Sequence, residues 1–350
     1  MDKVDEIFLK PKATIEKALR VIDSRGTKIG LVVDSCKKLL GTLSDGDIRR
    51  ALLKGKKISD SIEDIFYKKP ITANDSDTKK FLINLAQNKK VTEIPILNDD
   101  YQVVDLFILN WEKQENNYEN HIVLMVGGKG ERLRPLTEET PKPMLKVGGR
   151  PILEHIVNRF TNSGFKNITM CLGYKSSSIK EYFKDGKNFG ANIDYIIEDK
   201  RMGTAGALSL LKRRPKSAFF VMNGDILTNV DFEAMLNFHC ENKSFATMGL
   251  REYDIEVPYG VVEIENEDIV SIQEKPIHSF YVNAGIYILE PDSIDLIPKN
   301  KFYDMPELFK DLIKKNKKLT CFPLREYWLD IGRISDYEKA NAEYLDLPDV

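Results

Sequence analysis

The chain has 350 residues, a length that favours two domains over one. Its composition, 42% hydrophobic and 30% charged, is that of a globular protein with a sizeable core. The formal net charge of −2 argues against general nucleic-acid binding, which needs a basic face. No apolar run is long enough to cross a bilayer, and the N-terminus, MDKVDEIF, is charged where a signal peptide would be apolar.

The N-terminal third contains an internal repeat. The segment LVVDSCKKLLGTL at 31–43 aligns without gaps with PILNDDYQVVDLF at 95–107, and each copy reads as two β-rich runs around a polar turn. An amphipathic helical stretch precedes each copy at the same offset, starting at Thr14 and at Thr78. The pattern predicts a helix–strand–turn–strand unit of about sixty residues, present twice.

This repeat resembles a tandem CBS module, and GTLSDGDIRRALL at 41–53 is its strongest local match. In adenosine-binding members of that family a hydroxyl and an Asp at this spacing hold the ribose, which implies that Ser44 and Asp47 bind a nucleoside, with an adenine nucleotide as the candidate ligand. The second copy has Ile108 and Trp111 at the equivalent positions, so at most one such site is expected. The competing interpretation is that the pair serves only for dimerisation, and the chain is expected to form a homo-oligomer.

Strands and helices alternate from His121 onward. Four strand-like runs, IVLMV, NITMCLG, NIDYIIE and AFFVMNGD, are followed by a region of closely spaced strands, FATMGL, YGVVEI, IVSIQE and NAGIYIL. Between the first two runs, PILEHIVNRF at 151–160 places Leu153, Ile156, Val157 and Phe160 on one helical face. This order predicts an α/β fold with a Rossmann-like mixed, mainly parallel sheet behind an N-terminal α+β module. We expect the N-terminal module at 1–115, a polar linker at 116–120 and the larger domain at 121–350.

A glycine-rich turn directly follows the first apolar strand of that domain. Gly127, Gly128 and Gly130 would let the backbone N–H groups approach phosphate, and Arg132 and Lys142 would supply positive charge for a polyanion. A Gly-rich turn alone is weak evidence, and this one fits neither the Rossmann fingerprint nor the Walker A loop. The full string GGxGxRLxP…PKPM is more specific. It resembles the sugar-1-phosphate nucleotidyltransferases, and the resemblance extends in unbroken motif order over about 121–342.

Two aspartates are implied as metal ligands by that resemblance. Asp225 follows the apolar strand AFFVM, and Asp330 lies in WLDIGR; together they would hold one Mg²⁺ that also binds phosphate oxygens. Taken alone, the sequence Asn-Gly-Asp at 223–225 suits a turn equally well. The segment GTAGAL at 203–208 would lie against the nucleotide through Gly203 and Thr204.

The residue five positions before that segment reads the base in this family, and here it is Glu198. Members that bind thymine or uracil tend to have Gln, which both donates and accepts, whereas a carboxylate only accepts. Guanine presents two adjacent donors, N1–H and the 2-amino group, so Glu198 favours GTP. The alternative is an ordinary surface Glu. For the sugar and its phosphate, the resemblance implies contacts from Glu274 and Lys275, with Gly260 and Asn283 lining the pocket.

These motifs predict transfer of a nucleotidyl group, with GTP as the donor, to a sugar-1-phosphate, with Arg132, Lys142 and Lys275 as the catalytic cations. Joining a CBS pair to this catalytic domain resembles the glucosamine-1-phosphate guanylyltransferases of bacterial legionaminic-acid biosynthesis. The alternatives are a mannose-1-phosphate guanylyltransferase, a uridylyl- or thymidylyltransferase, and an inactive nucleotide sensor. The four cysteines show no CxxC spacing, which suggests reduced, mostly buried thiols of a cytoplasmic protein: Cys36, Cys171, Cys240 and Cys321.

Overall fold

A computed structural model describes residues 3–25, 27–89, 91–109, 117–173 and 175–343. The chain divides into two compact units, Met1–Gln114 and Glu115–Val350, and each is described by itself. Within the described ranges no helix is long and apolar enough to span a membrane. Cys36 and Cys240 are exposed, so the expectation of mostly buried thiols was wrong for these two.

The N-terminal unit contains two copies of one β-α-β-β arrangement. A short 3₁₀ helix at Lys3–Ile7 precedes the first copy. The helices and strands, in chain order, are β1 (Phe8–Leu9), α1 (Ile15–Arg25), β2 (Ile29–Val33), β3 (Leu39–Ser44), α2 (Asp45–Leu53), β4 (Ala73–Asn74), α3 (Lys79–Lys89), β5 (Glu93–Leu97) and β6 (Val103–Ile108). Each copy forms a three-stranded sheet, β1-β2-β3 or β4-β5-β6, in which the first pair is parallel and the second antiparallel.

The two copies share their irregularities as well as their elements. α3, β5 and β6 each begin 64 residues after α1, β2 and β3, and both hairpins change register at corresponding positions. The two turns also pair with each other: Leu39 N donates to Tyr101 O at 3.2 Å, and Val103 N donates to Lys37 O at 3.0 Å. This approximate twofold relation confirms the predicted repeat.

The C-terminal unit is built on a seven-stranded mixed sheet. Its first half comprises β7 (Ile122–Val126), β8 (Lys146–Val147), β9 (Arg150–Pro151), α4 (Ile152–Asn162), β10 (Asn167–Leu172), α5 (Ser176–Phe183), β11 (Asn192–Ile197), α6 (Gly203–Gly206) and β12 (Phe219–Asn223). Its second half comprises β13 (Ile226–Thr228), α7 (Phe232–Glu241), β14 (Ala246–Glu256), β15 (Gly260–Glu265), β16 (Asp268–Glu274), β17 (Ile277–Leu289), α8 (Met305–Lys314), β18 (Leu319–Leu324), β19 (Trp328–Asp330) and α9 (Ile334–Glu343). Short 3₁₀ helices lie at Glu131–Leu133, Lys142–Met144, Lys187–Phe189, Ala207–Leu210 and Pro291–Leu296.

The strand order of the large sheet, β11-β10-β7-β12-β17-β14-β18, places a crossover at β7. β7 is parallel to both neighbours, β10 and β12, and the chain leaves it first toward one side and later toward the other. Ligands of open α/β sheets bind beyond the carboxyl end of a strand at such a point. The glycine-rich turn after β7 therefore lies at the position where the fold favours a ligand.

The core beneath this edge follows from the sequence pattern. The predicted face of α4 is buried through Leu153, Ile156, Val157 and Phe160. Phe160 stacks on Phe232 with ring centroids 3.8 Å apart, within a larger aromatic group. Phe220 of β12 contacts both rings edge-on, with centroids 5.6 Å from each. Full burial of one such side chain contributes about 1.5–3 kcal/mol, so this packing holds β12 against the helix layer.

The predicted linker at 116–120 packs in part on the C-terminal unit. Tyr118 stacks on Phe165 with centroids 4.5 Å apart, and Asn120 Nδ2 donates to Ala218 O at 2.7 Å. The polar stretch 112–116, and with it Trp111, lies outside the described residues. The linker boundaries themselves stay a prediction.

Candidate active site

The glycine-rich turn is held close to two neighbouring segments. Gly130 adopts a left-handed conformation, with φ of +65°, and a Cβ there would lie 2.9 Å from Thr137 Cγ2 and 3.0 Å from Lys142 Cβ. A Cβ on Gly127 would lie 2.9 Å from Glu198 Oε1. Gly128 has open space around it, so its backbone is accessible to a ligand. The glycines thus serve both conformation and close approach.

Two carboxylates and one lysine meet beside this turn. Asp225 links β12 to β13, and Asp330 ends β19; β13 and β19 pair antiparallel, with Ile226 opposite Asp330 and Ile331 N donating to Asp225 O at 3.1 Å. Lys142 Nζ donates to Asp225 Oδ2 and lies 4.0 Å from Asp330 Oδ1. The antiparallel pairing therefore brings together residues more than one hundred positions apart.

The electrostatics of this group suit a bound cation. Asp330 is half exposed, yet desolvation on its inner side and the neighbouring Asp225 raise its pKa, although Lys142 and Arg132 act in the opposite direction. Asp225 Oδ1 is buried and accepts no hydrogen bond from any described residue. Two adjacent carboxylates with an unpartnered oxygen fit a hard divalent ion. Within the described ranges, no cluster of three or more His, Cys, Asp or Glu side chains could hold a metal, so further ligands would come from substrate and water.

Glu198 directly follows β11, and its side chain lies beside the glycine-rich turn. Its Oε2 accepts a hydrogen bond from Met202 N at 3.0 Å, and its Oε1 faces Gly127. Desolvation raises the pKa of this carboxyl, and the Met202 N–H and Arg201 counteract the shift only in part. Glu198 is therefore a half-buried carboxylate beside the glycine-rich turn and not an ordinary surface Glu.

Gly203 and Thr204 pack against the segment at 303–305. Thr204 N donates to Asp304 Oδ1 at 2.8 Å, and Thr204 Oγ1 accepts from Met305 N at 2.9 Å. A Cβ on Gly203 would lie 2.7 Å from both Asp304 Oδ1 and Tyr303 O. These contacts place the start of α6 against the N-terminus of α8, and the role of both residues toward a nucleotide stays a prediction.

A polar pocket borders Asp330. Asn283 lines it, but its amide is already engaged, since Nδ2 donates to Tyr287 Oη at 2.7 Å and Oδ1 accepts from Gly285 N at 2.9 Å. Asn223 lines the same pocket and has a buried Oδ1 with no partner among described residues. Asn223 is thus a candidate ligand-binding residue that the sequence interpretation missed, and its position two residues before Asp225 was the available signal.

The remaining predicted sugar-binding residues lie on an exposed hairpin. Gly260 pairs with Glu274 across β15 and β16, and Lys275 N donates to Tyr259 O at 3.3 Å. All three predicted residues are exposed, and no hydrogen bond or ion pair among the described residues joins them to Lys142, Asp225 or Asp330. Their roles stay predictions.

Ser44 and Asp47 in the N-terminal unit form a reciprocal capping box at the start of α2. Asp47 N donates to Ser44 Oγ at 3.2 Å, and Ser44 N donates to Asp47 Oδ2 at 2.9 Å. The Asp47 carboxylate also pairs with Arg50 at 2.6 Å. This spacing therefore has a structural reason of its own, and nucleoside binding by the two residues stays a prediction. Ile108, in the second copy, is exposed at the end of β6.

Comparison with known proteins agrees with this architecture. The Nucleotidyl transferase family profile matches residues 121–346, and the CBS domain profile matches residues 1–54. The chain belongs to the nucleotidyl transferase family and has an N-terminal CBS domain.

The chain is also similar to individual known proteins. The chain is 33% identical over 233 residues to the mannose-1-phosphate guanyltransferase of Saccharomyces cerevisiae, a match that covers 64% of each protein. It is similar to a putative glucose-1-phosphate thymidylyltransferase from Bacillus anthracis, with 26% identity and a TM-score of 0.55 over 66% of this chain and 97% of the other. It is also similar to HddC from Yersinia pseudotuberculosis complexed with GMP-PN, with 26% identity and a TM-score of 0.51 over 64% of this chain and 99% of the other.

Proposed function

We propose that the chain transfers a guanylyl group from GTP to a sugar-1-phosphate and releases pyrophosphate. A phosphate oxygen of the sugar-1-phosphate attacks the α-phosphorus of GTP, a new P–O bond forms, and the bond to the β-phosphate breaks. The attacking oxygen is already anionic, so no general base is required. Catalysis then consists of alignment and charge neutralisation between two polyanions.

The position of Glu198 is the observation that carries the choice of GTP. Its carboxylate lies beside Gly127, at the carboxyl end of β7, where open α/β sheets bind ligands. Both oxygens are acceptors, and among the described residues only Oε2 receives a hydrogen bond, which Met202 N donates. Such a group matches the N1–H and 2-amino donors of guanine, whereas the carbonyl oxygens of uracil would face it with like partial charge. The similarity to a guanyltransferase and to a protein complexed with GMP-PN supports the same base.

The charged residues around Asp225 support the chemistry. Asp225 and Asp330 would hold Mg²⁺, which when bound neutralises charge on the phosphates. Lys142 is positioned to reach a phosphate beside the turn. The positive charge of Arg132 also acts on Asp330 and opposes the rise of its pKa that burial causes. Asn223 Oδ1 offers an acceptor in the adjoining pocket. The roles of Lys275, Glu274, Gly260 and Asn283 toward the sugar and its phosphate rest on the family resemblance.

Two sugar-1-phosphate substrates are supported by different observations. The combination of a CBS module with this catalytic domain favours glucosamine-1-phosphate and a place in legionaminic-acid-type surface-glycan biosynthesis. The sequence similarity to a mannose-1-phosphate guanyltransferase favours mannose-1-phosphate. The two sugars differ at C2 both in the substituent, an amino or a hydroxyl group, and in configuration. Either substituent can donate to an acceptor such as Asn223 Oδ1, but from different directions.

Pyrophosphate release tests both choices. The full chain with Mg²⁺ would be assayed with GTP, UTP, dTTP, CTP and ATP against glucosamine-, N-acetylglucosamine-, mannose- and glucose-1-phosphate. GTP-selective turnover is expected, with the preferred sugar given by the highest kcat/KM. Preference for UTP or dTTP would overturn the role of Glu198, and no turnover with any pair would overturn the proposed function.

A further inference from the structure

The ammonium group of Lys142 lies between the two aspartates that are proposed to hold the metal. The side chain of this lysine is buried, with 8% of the residue exposed, and its Nζ is bonded to Asp225 Oδ2 and lies 4.0 Å from Asp330 Oδ1. The other oxygen of Asp225, Oδ1, is buried without a partner among described residues. An ion that also uses Asp225 Oδ2 would compete with the ammonium group for that oxygen, and an ion on Oδ1 would lie close to the same positive charge.

We propose that Lys142 is an internal counter-ion that competes with the divalent metal, so that the metal binds weakly until a nucleotide triphosphate draws the lysine away. This inference rests on the metal role of Asp225 and Asp330 in the proposed function. An ammonium group and a divalent cation both seek the same carboxylate oxygens and repel each other. Binding of metal and triphosphate is then cooperative, and by linkage each raises the affinity for the other.

The backbone position of Lys142 gives its side chain access both to the aspartates and to the glycine-rich turn. Lys142 belongs to the 3₁₀ helix Lys142–Met144, and its Cβ lies 3.0 Å from the position that a Cβ on Gly130 would take. The side chain therefore starts directly beneath the glycine-rich turn that is proposed to bind phosphates. Movement of Nζ from Asp225 toward a phosphate bound at that turn would then need only rotation about the side-chain bonds of Lys142.

The other charges near the aspartates do not replace Lys142. Arg132 is exposed, and its charge acts to lower the pKa of Asp330, whereas Asp336 acts to raise it. No hydrogen bond or ion pair from Arg132 to Asp225 is found among the described residues. Lys142 is thus the cation that contacts both carboxylates within the part of the chain that the structure describes.

The test is Mn²⁺ binding to the full chain without nucleotide, measured by the electron paramagnetic resonance signal of free Mn²⁺. Lys142→Met removes the competing charge and should tighten Mn²⁺ binding by a factor on the order of ten, the size of ordinary linkage between sites. Lys142→Gln serves as a second, polar replacement, and circular dichroism checks that both variants fold. Lys146→Met, at an exposed lysine four residues along, is the matched control and should bind Mn²⁺ like the wild type.

Asp225→Asn, alone and combined with Lys142→Met, shows whether a negative result overturns the competition alone or the metal site as well. Loss of the tightened binding in the double variant would support the competition. Equal Mn²⁺ affinities for the wild type and both Lys142 variants, with binding abolished by Asp225→Asn, would overturn the competition and leave the metal site intact. Mn²⁺ binding that is insensitive to Asp225→Asn would overturn both the competition and the metal role in the proposed function.

Discussion

Replacing Glu198 with Gln should invert the base preference, because the protein fixes how the new amide is oriented. Met202 N–H donates to Glu198 Oε2 at 3.0 Å, and Gln has only one oxygen with which to accept that bond. With the oxygen used by Met202, the NH₂ group of Gln faces Gly127 and the ligand. It then meets the N1–H and 2-amino donors of guanine with another donor, whereas the carbonyl oxygens of uracil or thymine can accept from it.

The size of the effect follows from the bonds exchanged. A hydrogen bond to a charged group contributes about 1.5–3 kcal/mol, so the loss of one such bond to guanine should lower kcat/KM for GTP by about 10- to 150-fold. The rate with UTP or dTTP should rise in the same variant. Steady-state pyrophosphate release with each nucleotide, at one fixed sugar-1-phosphate, measures both changes.

Glu181→Gln provides a matched control, since Glu181 is an exposed carboxylate on α5 and the substitution is chemically identical. It should leave the ratio of GTP to UTP activity unchanged. A folded Glu198→Gln protein with an unchanged ratio would refute the assignment of Glu198 to the base.

Three further predictions concern the metal site and the glycine-rich turn. Asp225→Asn should lower kcat by about 10²–10³-fold, the usual cost of losing one preorganised electrostatic contact; near-complete Mg²⁺-dependent turnover would exclude Asp225 as a metal ligand. Asp330→Asn should abolish turnover yet raise the melting temperature of the EDTA-treated protein at pH 7. Because the pKa of Asp330 is raised in the folded protein, the neutral carboxyl stabilises the fold below the unfolded-state value near 3.8, and this contribution is lost as pH rises. Melting temperatures from pH 3 to 8 should therefore show the difference between variant and wild type shrinking at the acid end, and an equal difference at every pH would contradict this prediction. Gly130→Ala should destabilise the protein by about 1–3 kcal/mol, since its φ of +65° is strained for any residue with a Cβ and that Cβ would lie 3.0 Å from Lys142 Cβ. Gly128→Ala, with no atom within 4 Å, should unfold at the wild-type urea midpoint; equal midpoints for the two variants would refute the proposed crowding.

The sequence determined the elements of the fold and their order. Apolar runs bounded by polar turns were sufficient to predict β7, β10, β11 and β12, and the spacing of apolar residues identified the buried face of α4. The N-terminal repeat was visible because both copies keep the same pattern at a fixed offset, and this pattern reflects the same pairing in each sheet. Such local signals survive in the sequence because they depend on near neighbours.

The sequence also identified individual residues of the site without establishing what each contacts. Asp225, Asp330 and Lys142 were expected near one another through family resemblance, and the tertiary structure gives the reason, which is the antiparallel pairing of β13 with β19. The capping role of Ser44 and Asp47 and the engagement of Thr204 by Asp304 were not expected, although the spacing in SDGD is itself a capping signal. A polar side chain can bind a ligand only through donors and acceptors that the protein itself has not already used, and the sequence does not show which ones those are.

Asn223 and Asn283 illustrate this limit. Both are Asn residues in short motifs next to strands, and the sequence favoured Asn283 for the ligand pocket. In the folded chain both residues line the pocket, but the amide of Asn283 already donates to Tyr287 Oη and accepts from Gly285 N, whereas the Oδ1 of Asn223 is buried there without a partner among the described residues. Composition and periodicity determined the class of fold, but the composition of the pocket was decided only by the tertiary structure, because its lining residues Asn223, Asn283 and Asp330 come from strands that are far apart in the sequence.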